Sequence, residues 1–428
     1  MNAKKSNRSS DSSIGHGLHA TVDELLMSAL DRGGRTLETG RSIVTFQSVE
    51  EGVRLFTEQG VRVADARDFQ DQAVVLENAG DAEALVFPEI GAAVVGGGVL
   101  EARGLTDVAG PAIESIEPEY FVFAYAADGD YLRGFRRAAG AIADDLRATK
   151  EAEIEPTEDP LVVGATWGLI ACKVPPSPRS GAGVKVAVLD SLMDLGHPDF
   201  AHRTIVTQGF AGPVTGPPNA HATHIVGTAC GPKAPPGAIP RYGIGYKTLI
   251  HLGVVLTSSG SGSTATVLAG MNWAVANRCP VILIAIGSAS PVQAAYTAAG
   301  AAALNKGCLM IAAAGASGGP TGAPANSPTI MAVASLDQTL TPSAFSNVGK
   351  IDIAAPGRDI FSSVPRPVKY GVQSGTSQAA AHVAGCAALW AETSPALRGM
   401  NLWKKLQATA KHLPFPPARV GAGLVQAP

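Results

Sequence analysis

The sequence predicts an α/β chain in which a doubly wound, mostly parallel sheet follows a small α+β domain. Continuous apolar runs at 184–189, 281–286 and 309–313 are typical of strands that are buried on both faces. Helical stretches at 264–276 and 378–390 alternate with these runs, and this alternation favours parallel pairing through helical crossovers. Ligands of such sheets bind at the carboxyl ends of the strands, so we expect the functional residues there.

Composition excludes several classes of protein. The 428 residues carry 33 basic and 36 acidic side chains, a net charge of −3 that favours no nucleic-acid partner. Hydrophobic residues make up 46% and charged residues 16%, which excludes disorder over most of the chain. Glycine, proline, serine and asparagine interrupt the long uncharged stretches near 281–304 and 307–336, so we expect no membrane partner. The five scattered cysteines form neither a disulfide framework nor a metal-binding spacing.

The pattern along the chain predicts four regions. They are a flexible N-terminal segment with one short helix around 22–30, a small α+β domain, a helical and acidic linker, and an α/β domain, with bounds 1–37, 38–127, 128–160 and 161–428. In the small domain, Ser48 and Glu51 have the spacing of a capping box at the start of a helix. A strand is predicted at 120–124. The acidic run at 151–159 fits a solvated connector and a cleavage region about equally well.

Three segments of the α/β domain carry the residue types of a serine hydrolase. Asp190 closes the first apolar run, His221 begins the segment HATHIVGT, and Ser377 lies in SGTSQAAAHVAG at the start of a helix. A serine hydroxyl needs a base to take its proton, and a carboxylate can orient a histidine for that task. The chain order is Asp, His, Ser. The α/β-hydrolase order fails, because only Glu392 is acidic after the serine.

These segments resemble those of the subtilases, the subtilisin-like serine proteases. The departures from the family pattern include Leu192 and Ala222, which replace glycines, and Ala381, which replaces a proline. Residues 343–357 and 421–427 also resemble family segments, so the resemblance covers about 165–428. It implies a subtilisin-like fold.

The resemblance also implies a role for each residue of the site. Ser377 would be the nucleophile, His221 the general base and acid, and Asp190 the carboxylate that orients His221. The implied reaction is hydrolysis of peptide bonds in a polypeptide substrate through an acyl-enzyme. His224 is expected to be a packed helix residue, and no third ligand accompanies the two histidines, so zinc is not expected.

The small domain resembles the inhibitory propeptide of the same family, especially through IESIEPEYFVFA at 113–124. By that resemblance the chain is made as a zymogen. Its own N-terminal pro-domain is then an intramolecular chaperone and inhibitor, and the last strand of this domain leads towards the active site.

The resemblance further implies a substrate groove. Its edge would be formed by Gly260, Ser261 and Gly262, and the walls of the pocket for the residue before the scissile bond by Ala285, Ile286, Gly287, Ala314 and Gly315. Such an edge binds an extended peptide through backbone hydrogen bonds. No carboxylate occurs in these segments, so we expect an apolar or neutral residue in the pocket rather than Lys or Arg.

The oxyanion region departs from the family pattern. The family has an asparagine that donates to the oxyanion where this chain has Ala316, and Thr376 or Ser317 could supply a substitute hydroxyl. Three interpretations stay open: a slow or narrowly specific protease, a protease with a rearranged oxyanion hole, and a peptide-binding module without catalysis. A subtilase that removes leaders or performs transpeptidation in peptide maturation is a further alternative.

No cofactor is expected. Asp199 matches a position that binds calcium in many subtilases, but the segment 231–245 that would complete that site has no Asp, Asn or Glu. Calcium prefers six to eight oxygen ligands, so we expect no tight site there. The first 17 residues contain no apolar region of a secretory signal, and we therefore expect a cytoplasmic protein.

Overall fold

A computed structural model describes residues 17–31, 37–69, 79–106, 112–124, 164–212 and 214–428. The predicted linker at 128–160 lies outside these ranges. The described α-helices are α1 (Val22–Asp31), α2 (Val49–Glu58), α3 (Val99–Ala102), α4 (Trp167–Ala171), α5 (Ala220–Cys230), α6 (Thr264–Ala276), α7 (Ala294–Asn305), α8 (Thr376–Thr393), α9 (Gly399–Thr409) and α10 (Pro417–Val420), and short 3₁₀ helices occur at Ala66–Phe69 and Pro198–Phe200.

The described strands divide between the two domains. The N-terminal domain contains β1 (Glu38–Phe46), β2 (Val63–Asp65), β3 (Ala84–Phe87), β4 (Ala92–Val95) and β5 (Ile113–Ala124). The α/β domain contains β6 (Lys185–Asp190), β7 (Ile205–Gly209), β8 (Leu249–Val254), β9 (Ser261–Ser263), β10 (Val281–Ile284), β11 (Ile286–Gly287), β12 (Leu309–Ala313), β13 (Met331–Leu336), β14 (Ile353–Pro356), β15 (Ile360–Ser363) and β16 (Tyr370–Gln373).

Seven described strands of the α/β domain form one sheet in the order β14–β13–β12–β10–β6–β8–β7. Every neighbouring pair is parallel. The first strand in sequence, β6, lies inside the sheet, with β8 and the edge strand β7 on one side and β10, β12, β13 and β14 on the other. This confirms the predicted fold class and places Asp190 at the carboxyl end of β6, where ligands of such sheets bind.

Both faces of the parallel sheet are covered, because alternate side chains of each strand enter different cores. On one face, Val186 and Leu283 pack with residues of α5 and α8. On the other face, Leu189 and Ile282 pack with residues of α6 and α7. The helices that carry His221 and Ser377 are therefore on the same side of the sheet. In the described part of the chain, no helix is both long enough and apolar enough to cross a bilayer.

The strands of the N-terminal domain form a mixed sheet, in which β1 lies antiparallel between β4 and β5 and β2 pairs parallel with β3. Its core includes Phe46 and Phe56, whose rings meet edge to face with centroids 5.5 Å apart. The Ser48 hydroxyl accepts the Glu51 N–H at 3.4 Å and begins α2, which is one half of the predicted capping box. The predicted strand at 120–124 is the end of the longer β5, which continues into the α/β domain and pairs there with β9 and β11.

The prediction of a flexible N-terminal segment is wrong for residues 17–31. The short helix forms as predicted, but it is docked: Leu25 and Leu26 of α1 are buried against Phe121 and Phe123 of β5. The physical reason is the removal of these four large apolar side chains from water. Periodicity within α1 could not show this packing, because the partner residues lie about ninety positions later in the sequence.

Candidate active site

Asp190 and His221 meet at the carboxyl end of the parallel sheet. Asp190 is fully buried, and one of its carboxylate oxygens accepts the N–H of Ser191 at 2.7 Å and its hydroxyl at 3.0 Å. His221 lies in the first turn of α5, where the Asn219 side chain caps the helix by accepting the His221 N–H at 2.8 Å. The His221 Nδ1 atom lies 2.9 Å from Oδ2 and 3.2 Å from Oδ1 of Asp190. This contact orients the imidazole with Nε2 turned away from the carboxylate.

Ser377 lies in the first turn of α8 and is fully buried. Its hydroxyl donates a hydrogen bond of 2.7 Å to the carbonyl oxygen of Ala285. His221 Nε2 is buried and has no hydrogen-bond partner among the described residues. The structure thus joins Asp190 to His221, whereas the Ser377 hydroxyl is directed to Ala285. Ala285 follows Ile284, which pairs with Leu189, so it lies beside Asp190 at the carboxyl ends of β10 and β6.

The oxyanion region contains no asparagine side chain at the predicted place. Ala316 is buried in the apolar core. The hydroxyl of the neighbouring Ser317 donates to the Asn347 side chain at 3.0 Å, while Thr376 Oγ1 accepts the Gly315 N–H at 3.1 Å. Sequence reasoning missed Asn347, which binds the loop after Ala316. The only sequence feature that pointed to Asn347 was its position in the family-like segment 343–357.

The predicted groove holds the end of β5. Phe121, Val122 and Phe123 pair antiparallel with Ser263, Gly262 and Ser261, and Phe123 and Ala124 pair with Gly287 and Ile286. The Ala124 N–H also donates to the Gly260 carbonyl at 3.2 Å. An extended segment of the chain itself therefore lies between the two predicted edges, and its described part ends opposite Ile286, the residue after Ala285. Gly315 contacts Thr376, the residue before Ser377. Ala314 is buried in the apolar core, and its N–H donates to the Val333 carbonyl at 3.1 Å.

Comparison with known proteins now identifies the family. A sequence model of the subtilase family (peptidase S8) matches residues 181–423, more than half of the chain. The chain belongs to the subtilase family. It is a subtilisin-like serine protease and hence a hydrolase.

Individual relatives agree with this assignment. Subtilisin Savinase of Lederbergia lenta is 35% identical over 266 residues, which cover 61% of this chain and 96% of that protein. The alkaline protease of Shouchella clausii is 34% identical over 295 residues, which cover 68% of this chain and 73% of that protein. Among solved structures, a cold-adapted subtilisin-like serine proteinase matches with a TM-score of 0.54 and 28% identity, and it covers 62% of this chain and 98% of its own.

Two further histidines of this subtilase are buried near the site. His224 Nε2 lies 2.7 Å from the Ile360 carbonyl, and burial lowers the pKa of His224 to about 3. His382 Nδ1 lies 2.9 Å from the Gln378 carbonyl, and burial lowers the pKa of His382 to about 4. Both side chains are therefore neutral at pH 7, as packed helix residues should be. No cluster of three or more His, Cys, Asp or Glu able to hold a metal occurs in the described ranges.

Two glutamates of β5 join the N-terminal domain to helices of the protease domain. Glu117 accepts the Ala294 N–H at 2.8 Å, and Glu119 accepts the Ala265 N–H at 3.0 Å, so each carboxylate lies at the positive N-terminal end of a helix. The buried Arg41 guanidinium binds both oxygens of Glu119, at 2.6 and 2.9 Å. Burial acts to raise the pKa of Glu119, but the charge and hydrogen bonds of Arg41 outweigh it and hold this pKa below its usual value.

Asp199, the predicted candidate for a calcium ligand, has a different set of partners. The Tyr242 hydroxyl donates to one of its carboxylate oxygens, and the Tyr370 hydroxyl donates to the other at 2.9 Å. Burial, together with these bonds to Asp199, raises the pKa of both tyrosines. Each carboxylate oxygen of Asp199 therefore has a tyrosine hydroxyl as hydrogen-bond donor.

Proposed function

We propose that Asp190, His221 and Ser377 are the catalytic triad of this serine endopeptidase, and that the chain is made as a zymogen. The observation that carries the proposal is the position of β5. An extended strand lies in the groove between β9 and β11, and its described end, Ala124, pairs with Ile286, the residue after Ala285, whose carbonyl accepts the Ser377 hydroxyl. This is the position that a peptide substrate would take.

The chemistry follows from the atoms at that point. The Ser377 hydroxyl leaves the Ala285 carbonyl by rotation of its side chain and gives its proton to His221 Nε2. Its Oγ atom then attacks the carbonyl carbon of the peptide bond, while the Asp190 carboxylate stabilises the imidazolium. His221 returns the proton to the departing amine, which leaves an acyl-enzyme. A water molecule then repeats the sequence, with His221 as its base, and releases the acid.

The oxyanion needs hydrogen-bond donors that do not depend on position 316. We infer that the Ser377 backbone N–H and the Thr376 hydroxyl supply them. The hydroxyl oxygen of Thr376 is fixed by the Gly315 N–H, and its own hydrogen has no acceptor among the described residues. Ser317 is the weaker candidate, because its hydroxyl already donates to Asn347.

A peptide-binding module without turnover is the second candidate function, and Ala316 favours it. Loss of one oxyanion donor lowers kcat by about 10²–10³ in a subtilisin. Ala316→Asn restores the missing amide. We expect it to raise kcat at least about tenfold with little change in KM, and an unchanged kcat would contradict an impaired hole.

The register of β5 also assigns the bond that the protease would cut in its own chain. Ala124 pairs with Ile286, and the next residue along that edge is Ala285, whose carbonyl holds the Ser377 hydroxyl. The described part of β5 therefore ends one residue short of the position opposite Ala285, and a cut just beyond this end would separate the N-terminal domain from the protease domain. We therefore propose self-cleavage between Tyr125 and Ala126, with the N-terminal domain remaining bound as an inhibitor.

Intact mass over time tests the triad and the zymogen together. We expect the 43.5 kDa chain to split between Tyr125 and Ala126, and Ser377→Ala to stay whole. Ser327→Ala is the matched control, because Ser327 is also a fully buried serine but lies outside the site. Cleavage of the Ser377→Ala chain at the same bond would overturn self-processing. An uncut wild-type chain that nevertheless hydrolyses an added peptide would overturn only the zymogen, and a chain that binds peptides without hydrolysis would favour the second candidate.

We also propose that the fold needs no calcium at Asp199. Each oxygen of this carboxylate accepts a hydrogen bond from a tyrosine hydroxyl. The segment 231–245, which would complete a calcium site, contains no Asp, Asn or Glu side chain. The test is thermal unfolding with EGTA and with added calcium, where we expect the same melting temperature. A large rise with calcium would contradict the proposal.

A further inference from the structure

The end of β5 has two faces, and only one of them belongs to the groove. Side chains alternate along a strand, so Val122 points opposite to Phe121 and Phe123. Val122 enters the apolar core that contains Leu256 and Ile286 of the protease domain. Phe121 and Phe123 belong to a different, smaller apolar cluster.

Helix α1 supplies the other buried members of that cluster, Leu25, Leu26 and Ala29. The helix lies beside β9 as well as beside β1, so it spans the junction of the two domains. It therefore covers the face of β5 that a peptide bound by the groove alone would turn to solvent. The strand is enclosed between the protease edge on one side and the helix on the other.

The segment before α1 is fixed to the same junction. The Thr21 hydroxyl accepts the Glu24 N–H at 3.1 Å, and the Glu24 carboxylate accepts the Thr21 N–H at 2.9 Å, so the helix begins with a reciprocal cap. The carbonyl of the buried Leu18 accepts a hydrogen bond of 3.2 Å from Arg41, the residue that binds Glu119. Residues 17–31, called the latch below, are thus joined to the buried ion pair as well as to the strand.

We propose that the latch is an autoinhibitory contact that holds β5 in the groove, so that the strand leaves only after α1 has undocked. The inference rests on the proposed function, in which β5 is the inhibitory strand. A peptide substrate has the groove contacts of β5 but no latch. The latch therefore gives the N-terminal domain a long residence time that a substrate of the same sequence lacks, and its undocking becomes the step that controls activation.

Hydrogen exchange tests this in the full chain with Ser377→Ala, where the strand stays covalently attached and no turnover is needed. The change is Leu26→Ala, which removes buried contacts with Phe121 and Phe123. We expect exchange of the amides in Phe121–Ala124 and Ser261–Ser263 to accelerate at least about tenfold, with β10 unchanged. The matched control is Met27→Ala on the same helix, because Met27 is 43% exposed and should leave exchange as in the parent chain.

Equal exchange in the Leu26→Ala and Met27→Ala chains would overturn the latch proposal.

If Leu26→Ala also accelerates exchange in β10, a second experiment separates undocking of α1 from general loss of stability. A cleavage site for a specific protease is inserted between Asp31 and Glu38, the folded chain is cut, and gel filtration under mild urea removes the freed helix. Unchanged exchange at Ser261–Ser263 after that removal would refute the proposal. Both experiments measure opening of the strand and not hydrolysis. The latch proposal can therefore be refuted in an active protease, and it can be confirmed even if the triad proposal is wrong.

Discussion

Substitution of Glu119 by Gln removes one negative charge from the interface of the two domains while it keeps the shape of the side chain. The carboxylate is fully buried and binds the Arg41 guanidinium through both oxygens, at 2.6 and 2.9 Å. It also accepts the Ala265 N–H at 3.0 Å and the Thr39 hydroxyl. In Glu119→Gln the guanidinium remains buried without a counter-charge, and the N-terminal end of α6 loses an anion.

The size of the effect follows from this burial. Removal of one partner from a buried ion pair costs about 3–5 kcal/mol, since the remaining charge is uncompensated. At about 1.4 kcal/mol for each factor of ten, opening of the interface becomes about 10² to 4 × 10³ times more favourable. Glu117→Gln is the matched comparison, because Glu117 accepts the Ala294 N–H of α7 at 2.8 Å, pairs with no guanidinium among the described residues and is only half-buried. Loss of such a cap costs about 0.5–2 kcal/mol, or about 2- to 30-fold.

The assay is hydrogen exchange of the Phe121–Ala124 amides in the Ser377→Ala chain, compared at equal temperature and pH. Replacement of the whole pair, in Arg41→Met with Glu119→Leu, should recover most of the lost protection, because apolar residues of similar volume leave no buried charge. The reasoning is refuted if Glu119→Gln opens the strand no more than Glu117→Gln does. It is also refuted if the double variant is no better protected than Glu119→Gln.

Four further outcomes are expected. The pKa of Glu119 is lower in the folded chain than its usual value of 4.5, so the folded chain binds fewer protons than the unfolded one; this contribution to folding is fully present above pH 4.5 and is lost as the pH falls through the lowered pKa, and urea unfolding should show this in the parent chain but not in Glu119→Gln. Thr376→Val should lower kcat about 10- to 100-fold with KM nearly constant, whereas Thr376→Ser should retain activity; equal activity of both would remove Thr376 from the oxyanion hole. Gly385→Ala should lower the free energy of unfolding of the protease domain by about 1–3 kcal/mol, since the new Cβ would lie 2.7 Å from Ile244 Cβ. An unchanged urea midpoint would contradict this and would show that α8 shifts to relieve the contact. Tyr370→Phe removes a hydrogen bond to a buried carboxylate and should cost about 1.5–3 kcal/mol in the same assay, without creating a dependence on calcium.

Much of the fold was readable from local patterns, because each pattern is a property of neighbouring residues. The helix predicted at 264–276 is α6, and the apolar run at 309–313 is β12. The run at 281–286 is less regular than predicted: it divides into β10 and β11 at Ala285, because the two strands join different sheets. Alternation of apolar residues could not reveal this division, which depends on the partners of each strand.

The candidate site shows the same limit. Sequence order brought Asp190, His221 and Ser377 together as candidates, because nucleophile, base and carboxylate are residue types that one reaction requires. The direction of the Ser377 hydroxyl towards Ala285 could not be predicted, since a side-chain rotamer depends on the atoms around it. For the same reason, Ala316 was visible as a missing donor, but the engagement of Ser317 by Asn347 was not.

The sequence by itself determined the elements, the family and the residue types of the chemistry, because periodicity, chain order and motif spacing are local properties. Only the tertiary structure decided how the N-terminal domain is held in the groove. The caps by Glu117 and Glu119, the buried charge of Arg41 and the packing of α1 on Phe121 each join residues that are distant in the sequence. Their free energy arises when both partners leave water together, so neither partner shows it alone.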